Sequence, residues 1–312
     1  MGHHVPKIIL QGGIPIKNII EIDHITKDYG NGRGVFDISF QVKKGEVLGF
    51  LGPNGAGKTT TIRQLMGFLR PDSGSVQILG MDCFHDAHKI ADSLGYLPGE
   101  IAFIDAMTGI KFIRFIANMK GMKDLGRAPE LMERFELNPS AKIKKMSKGT
   151  KQKIGIICAF MQDPDILLLD EPTSGLDPLM QNEFIDLILE EKERGKTILL
   201  SSHIFEEVER TCDRAAIIRE GKLAAVENID ALRQNKQKIV EVHFPTVEIA
   251  KACAASMPSS TQKGSIVSVK IKGNMDDFIK QVANYPVTDL DIKAQTLEEI
   301  FMHFYGGTTD DQ

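Results

Sequence analysis

The sequence of 312 residues lacks the features that mark several classes of protein. No apolar run approaches the ~18 residues that a membrane-spanning helix needs. The four cysteines are far apart and form neither a C-x-x-C pair nor a zinc-type cluster with histidine, so we expect reduced thiols in a cytosolic protein. With 38 lysines and arginines against 42 acidic residues, the net charge of -4 does not indicate nucleic acid as a partner.

What the chain does have is the composition of an ordinary globular protein, 42% hydrophobic and 26% charged. Its length accommodates one large domain and one smaller domain. Residues 1–18 show no periodicity, so we expect an N-terminal extension there, whereas the apolar periodicity that follows predicts a large α/β domain over 19–235, mostly helical at about 84–150. The pattern restarts after residue 235 and predicts an accessory α+β domain over 236–312.

The large domain contains a glycine-rich loop between an apolar strand and a helix. The sequence GPNGAGKTT fits G-x-x-x-x-G-K-[ST], in which glycines allow backbone N–H groups to converge on a phosphate. The helix adds its free N-terminal donors and the positive end of its dipole. We expect Lys58 to lie between the β- and γ-phosphates and the Thr59 hydroxyl to coordinate Mg²⁺. The nucleotide-binding residues predicted here are Gly52, Pro53, Asn54, Gly55, Ala56, Gly57, Lys58, Thr59 and Thr60.

Two later apolar strands end in polar side chains. The run ILLLDEP is typical of a fully buried parallel strand and carries Asp170 and Glu171 at its C-terminal end. A second buried strand, residues 197–201, ends near His203. Because ligands of such sheets bind outside the carboxyl ends of the strands, we expect the two carboxylates to face the phosphates held by the glycine-rich loop.

Taken together, these motifs resemble the nucleotide-binding subunits of ABC transporters over about residues 19–225. Beyond the phosphate loop, the resemblance is carried by Tyr29, MSKGT at 146–150 (the family signature), ILLLDEP at 166–172 (the Walker B strand), SGLDP at 174–178 (the D-loop) and His203 (the switch histidine). It implies an α/β fold, a P-loop NTPase of the ABC type with an antiparallel β subdomain and a helical subdomain, followed by the small C-terminal α+β domain.

The resemblance also implies a role for individual side chains, with ATP and Mg²⁺ as the cofactors. Tyr29 would stack on the adenine, and Asp170 would hold Mg²⁺ directly or through water. Glu171 would polarise the attacking water, with Lys58 and His203 as the other catalytic residues. Phosphoryl transfer needs mainly positioning and charge neutralisation, and these residue types supply both.

The family signature implies a partner subunit. Ser147 and Gly149 occupy the positions that address the γ-phosphate of the opposite subunit, so hydrolysis would need two such subunits facing head to tail. The usual signature is Leu-Ser-Gly-Gly-Gln, and Lys148 and Thr150 depart from it. Lys148 either adds positive charge near that phosphate or points to solvent.

A second departure lies in GYLPGE at residues 95–100, where the family usually has glutamine after the proline and this chain has Gly99 followed by Glu100. The departure puts metal sensing by this loop in doubt. The same variant and the QTLEEIF segment near the C-terminus resemble the drug and antibiotic export branch of the family.

The resulting expectation is an ATPase subunit, peripheral to the cytoplasmic face of the cell membrane, that powers export through a separate membrane permease. One alternative is a soluble ABC ATPase of translation or DNA repair, although the span from Lys58 to Ser147 is short for a repair protein and one cassette is unusual for a translation factor. The other is a regulator without turnover, which the presence of Glu171 and His203 disfavours. The guanine motif Asn-Lys-x-Asp is missing, since residues 235–238 read NKQK.

Overall fold

The computed structural model describes residues 18–234, 238–257, 260–271, 275–294 and 299. The predicted N-terminal extension, apart from Asn18, and the QTLEEIF segment at 295–301, apart from Glu299, lie outside these residues. The chain divides into two compact units, the first ending at Ile229 and the second beginning at Asp230.

The first unit combines an antiparallel sheet with a larger, mostly parallel sheet. Its strands in chain order are β1 (Asn18–Asp28), β2 (Gly34–Lys43), β3 (Val47–Leu51), β4 (Ser73–Ile78), β5 (Met81–Asp82), β6 (Leu94–Leu97), β7 (Ile166–Asp170), β8 (Thr197–Ser202), β9 (Arg214–Arg219) and β10 (Lys222–Asn228). Its helices are α1 (Lys58–Leu65), α2 (Ala87–Ile90), α3 (Gly109–Met119), α4 (Ala128–Arg134), α5 (Lys148–Phe160), α6 (Pro178–Glu193) and α7 (Phe205–Thr211), and α8 (Ile229–Gln234) crosses the boundary between the units.

The antiparallel sheet has the strand order β2-β1-β4-β5. Its strands alternate buried apolar and exposed polar residues, as a sheet with one solvated face does. Side chains such as Ile20 and Ile38 share one buried cluster with Phe50 and Leu168 of the larger sheet. The ring centroids of Phe40 and Phe50 lie 5.2 Å apart across this interface. Burial of this cluster holds the two sheets together.

The larger sheet has the order β10-β9-β3-β8-β7-β6, in which β10 is antiparallel to β9 and the other neighbours are parallel. Strands β3, β7 and β8 are buried along their whole length, as strands of a parallel sheet covered on both faces are, and the antiparallel sheet packs against one of those faces. In the register, Leu51 pairs with Ser202 and Asp170 with Ser201. The carboxyl ends of three strands therefore meet at one edge, and each is followed by one of the predicted motifs.

The stretch expected to be mostly helical contains α2, α3, α4 and the beginning of α5, together with one strand, β6. Strand β6 joins the larger sheet beside β7, and α2, α3 and α4 are separated by loops. Thr108 caps α3, since its Oγ1 accepts a hydrogen bond from the Lys111 N–H at 3.4 Å. In the part of the chain that the structure describes, no helix is both long enough and apolar enough to cross a membrane.

The second unit is an antiparallel sheet with helices on one face. Its elements are β11 (Lys238–His243), α9 (Val247–Ala255), β12 (Ser260–Lys263), β13 (Ile266–Ile271), α10 (Met275–Val282) and β14 (Asp289–Ala294), and its strand order is β12-β13-β11-β14. Val240, Val242 and Val267 form its core with Phe278 from α10. The sequence pattern missed β12, because STQK is polar and lacks the alternation of a half-buried strand.

Candidate functional site

The glycine-rich loop leaves β3 and enters α1 through backbone conformations that suit glycine. Gly55 and Gly57 have φ values of 81° and 112°. A Cβ atom at Gly52 would lie 2.4 Å from the carbonyl oxygen of Ile218, so the loop packs too closely for any side chain there. Helix α1 begins without a side-chain cap at Gly57, which leaves its first N–H groups available to a ligand.

Lys58 folds back over the loop that precedes it. Its Nζ atom donates to the carbonyl oxygens of Gly52 at 2.6 Å and Pro53 at 3.2 Å, and lies 3.0 Å from Glu171 Oε1. The side chain is 5% exposed. A buried ammonium group held in this way is a preorganised cation at the helix N-terminus, and an anion can approach it from the pocket side.

A pocket of about 290 Å³ opens over the loop. The residues lining it include most of the predicted phosphate-binding residues and Tyr29, whose ring is exposed. The lining residues are Tyr29, Arg33, Gly34, Asn54, Gly55, Gly57, Lys58, Thr59, Thr60 and Glu171. Sequence reasoning missed Arg33 and Gly34, although both belong to the GNGRG turn between β1 and β2 that follows Tyr29.

Other predicted residues of the loop do not line this pocket. Ala56 is buried and its carbonyl oxygen accepts a hydrogen bond from the Gly221 N–H at 3.0 Å, which anchors the loop to the β9–β10 turn. Gly52 and Pro53 contribute the carbonyl groups that hold Lys58. These three residues therefore stabilise the conformation of the loop through their carbonyl groups and do not face the pocket.

Asp170 is fully buried at the end of β7 and is held at both oxygens. Its Oδ2 accepts from Thr59 Oγ1 at 2.8 Å and its Oδ1 accepts from Ser201 Oγ at 2.5 Å. A Cβ atom at Gly99 would lie 3.1 Å from Oδ2, so the GYLPGE loop also passes beside this carboxylate. Burial, together with the charge of Asp170, raises the pKa of Tyr96 to about 12. The predicted pair of Thr59 and Asp170 is thus in direct contact.

Glu171 lies between the lysine and the histidine. Its Oε1 atom faces Lys58 Nζ, and its Oε2 atom is 2.5 Å from His203 Nδ1. Its φ of 50° is in the left-handed region, where the backbone of any residue other than glycine is strained. The backbone is held there by Gln152 of α5, whose Nε2 donates to the carbonyl oxygens of Pro172 at 2.8 Å and Glu171 at 3.3 Å. Sequence reasoning missed Gln152.

The segment at the start of α5 lies outside the lining of this pocket. Ser147 caps α5, since its Oγ accepts from the Thr150 N–H at 3.1 Å. A Cβ atom at Gly149 would lie 2.5 Å from the carbonyl oxygen of Gly175, so the first turn of α5 and the loop that contains Gly175 pack backbone to backbone. The Lys148 ammonium donates to Ser174 Oγ at 2.8 Å, a partner that neither sequence expectation for Lys148 included.

The chain is similar to several known proteins. The family model described as ABC transporter matches residues 35–174. The bacitracin transport ATP-binding protein BcrA of Bacillus licheniformis is 38% identical over 229 residues, which cover 72% of this chain and 75% of BcrA. A solved structure described as the ATP-binding subunit of an ABC transporter is 32% identical, covers 69% of this chain and 92% of its own, and has a TM-score of 0.63.

A longer relative matches as well. YbhF of Escherichia coli (strain K12), described as a probable multidrug ABC transporter ATP-binding protein, is 37% identical over 245 residues, which cover 76% of this chain and 42% of YbhF. The chain therefore spans less than half the length of YbhF.

Proposed function

Because the chain belongs to the ATP-binding subunits of ABC transporters, we propose that it hydrolyses ATP at the pocket around Lys58 and thereby drives export through a separate membrane permease. The observation that carries the proposal is the row of Lys58, Glu171 and His203, joined at 3.0 Å and 2.5 Å beside the pocket. A cation for the phosphates, a carboxylate for the water and an imidazole then act on the same phosphoryl group.

Lys58 and the backbone donors of the loop would bind the β- and γ-phosphates. The first N–H groups of α1 are already oriented, so they would stabilise the negative charge of the transferring phosphoryl group without reorganisation, and Lys58 would exchange its contact with Glu171 for one with the phosphate. The exposed ring of Tyr29 lines the same pocket and would stack on the adenine. Arg33, which follows in the same turn, adds a second cation to the pocket lining.

Thr59 and Asp170 fit Mg²⁺ in their chemistry. A hydroxyl oxygen and a carboxylate oxygen are hard ligands, and the two groups already lie 2.8 Å apart at the edge where the phosphates would bind. Mg²⁺ held by these residues would neutralise phosphate charge. Ser201 keeps the second carboxylate oxygen of Asp170 occupied, which orients the first toward Thr59.

Glu171 would accept a hydrogen bond from the attacking water and take up its proton as the phosphoryl group transfers. His203 faces the other oxygen of this carboxylate and would contact the γ-phosphate once ATP is bound. Since Lys58 and His203 both contact the carboxylate in the structure, binding of a phosphate would replace contacts that already exist. The strained backbone of Glu171 fits a residue selected for its position.

A second subunit would complete the site. Ser147 and Gly149 lie at the N-terminus of α5 and do not line the pocket of their own chain. An exposed helix N-terminus with a hydroxyl group is suited to bind the γ-phosphate of a facing subunit. ATP between two such subunits would favour the closed dimer, and hydrolysis would remove that preference.

The direction of transport is inferred from relatives. BcrA is described as a bacitracin transport protein and YbhF as a probable multidrug transporter protein. We infer that this chain serves an exporter of the same kind, with a permease holding it at the cytoplasmic face of the membrane. Purification of the tagged full chain from its own membranes, with identification of the protein that accompanies it, tests this part of the proposal; an accompanying ribosome instead of a permease contradicts it.

A further inference from the structure

A buried carboxyl group lies behind the proposed site, on α7. Glu207 is 2% exposed, whereas the adjacent Glu206 is exposed. Its Oε2 accepts a hydrogen bond from Ser202 Oγ at 2.5 Å, and the Thr173 hydroxyl approaches the same carboxyl group. No group among the described residues hydrogen-bonds to its Oε1. Burial of an incompletely satisfied carboxyl group costs free energy, and an apolar residue would avoid that cost.

The two hydroxyl neighbours of Glu207 belong to the two loops that carry the reactive side chains. Thr173 follows Glu171 by two positions in the chain, and Ser202 directly precedes His203. The carboxyl group of Glu207 therefore lies between these loops, hydrogen-bonded to Ser202 and close to Thr173, behind the contact between Glu171 and His203.

Ser202 transmits this connection to the backbone around the histidine. Its Oγ accepts a hydrogen bond from the Ile204 N–H at 2.9 Å while it donates to Glu207. The residues before and after His203 are thus both tied to α7.

We propose that Glu207 is a positioning residue, which holds the Thr173 and Ser202 loops together and thereby places Glu171 and His203 for attack on the γ-phosphate. The inference rests on the role proposed above for Glu171. Its consequence is that the loss of the Glu207 side chain lowers the rate of hydrolysis and leaves ATP affinity almost unchanged, because the phosphate loop is not involved.

The protonation of Glu207 indicates which substitution preserves the connection. Burial raises the pKa of Glu207 to about 7; the Ser202 hydrogen bond opposes this rise, and the nearby charge of Glu171 adds to it. A glutamine at position 207 retains an oxygen acceptor for Ser202 and matches the neutral acid in shape and charge. Alanine removes the acceptor.

The experiment measures kcat, KM and ATP binding for the full chain with Mg²⁺-ATP. For Glu207→Ala we expect kcat to fall by up to about 10²-fold, the usual consequence of a catalytic group displaced by an ångström, with the ATP dissociation constant unchanged within about twofold. We expect Glu207→Gln to keep most of the wild-type kcat, and Ser202→Ala to lower kcat by less than Glu207→Ala does. Glu206→Ala, on the exposed side of the same helix, is the matched control and keeps wild-type kinetics.

A double substitution separates positioning from general stability. In a Glu171→Gln background, Glu207→Ala adds no further loss of turnover if it acts through Glu171, whereas two independent effects would multiply. The inference is overturned if Glu207→Ala keeps the wild-type kcat, or if the losses of Glu171→Gln and Glu207→Ala multiply in the double variant. It is also overturned if Glu207→Ala and Glu207→Gln lose kcat equally. If Glu207→Ala does not fold, the kcat values of Ser202→Ala and Glu207→Gln are compared in its place. The inference then requires a lower kcat for Ser202→Ala than for Glu207→Gln. Wild-type turnover in Glu171→Gln alone refutes the proposed role of Glu171 instead.

Discussion

Lys58 Nζ lies 3.0 Å from Glu171 Oε1, so the cation expected to bind phosphate is already paired with the carboxylate expected to activate water. Lys58 begins α1 after the loop that leaves β3, whereas Glu171 directly follows β7, and β8 separates these two strands in the sheet. Each residue is largely buried, and a buried charge needs such a partner. An arriving phosphate can replace the carboxylate as the partner of Lys58 and leave Glu171 free to contact water.

The first prediction concerns this carboxylate. Glu171→Gln removes the proton acceptor and keeps the shape of the side chain, so we expect ATP binding to persist and turnover to fall by roughly 10²–10⁴-fold. Because hydrolysis no longer ends the ATP-bound state, the variant accumulates as a dimer in the presence of ATP. Phosphate release and size-exclusion chromatography measure the two effects, and turnover near that of the wild type would sink the role given to Glu171.

The second prediction concerns the cation. Lys58→Ala removes a charge-assisted contact to the phosphates, which is worth about 1.5–3 kcal/mol, so the dissociation constant for ATP rises by roughly 10–100-fold. Isothermal titration calorimetry on the full chain measures the change. Lys89→Ala, which removes an exposed lysine of α2, serves as the control and leaves ATP affinity unaltered. Equal affinities for wild type and Lys58→Ala would refute the phosphate-binding role.

The third prediction concerns the departure from the family signature. The Lys148–Ser174 hydrogen bond links the start of α5 to the loop that follows β7. Because Lys148 is exposed, we expect this hydrogen bond to stabilise the fold by at most about 1 kcal/mol. Urea unfolding of Lys148→Ala, Ser174→Ala and the double variant gives the coupling energy. Lys145→Ala, also exposed, is the control. A coupling energy of zero would show that the bond does not contribute in solution.

The fourth prediction concerns pH. Burial raises the pKa of Glu207 from its ordinary value of 4.5 to about 7, so the folded state binds the proton more tightly than the unfolded chain does. The stabilisation of the folded state that comes from this tighter proton binding is fully present below about pH 4.5 and is lost as the pH rises through 7.

In Glu207→Gln this loss disappears. Between pH 5 and pH 8, the unfolding free energy of the wild type falls by about 3 kcal/mol relative to that of the variant, since a tenfold change in proton affinity is worth about 1.4 kcal/mol. Urea unfolding at the two pH values measures the difference. Glu206→Gln is the control, and parallel pH profiles for wild type and Glu207→Gln contradict the buried-acid account.

Much of the fold and the family could be predicted because their signals are local. The glycine-rich loop and the apolar run before Asp170 each depend on residues within a few positions of one another, and the comparisons confirm the family and the ABC-type fold. The roles of the site residues remain predictions, although the structure brings Lys58, Glu171 and His203 together.

Contacts between distant segments could not be predicted in the same way. Ser201 holds Asp170 because the register of β7 and β8 pairs them, and no local pattern distinguishes that serine from its neighbour. The same limit applies to Gln152, whose hydrogen bonds to the backbone after β7 require α5 to pack there. Strand β12 was missed because its pairing with β13, and not its composition, makes it a strand.

The sequence by itself determined that a phosphate-binding loop, two carboxylates and a histidine follow three buried strands, because strand pattern, glycine conformation and residue chemistry are encoded locally. Only the tertiary structure decided that Glu171 stands between Lys58 and His203, and that Glu207 lies behind them. The strand order β3-β8-β7 and the packing of α7 set those distances, and both result from burial summed over the whole sheet.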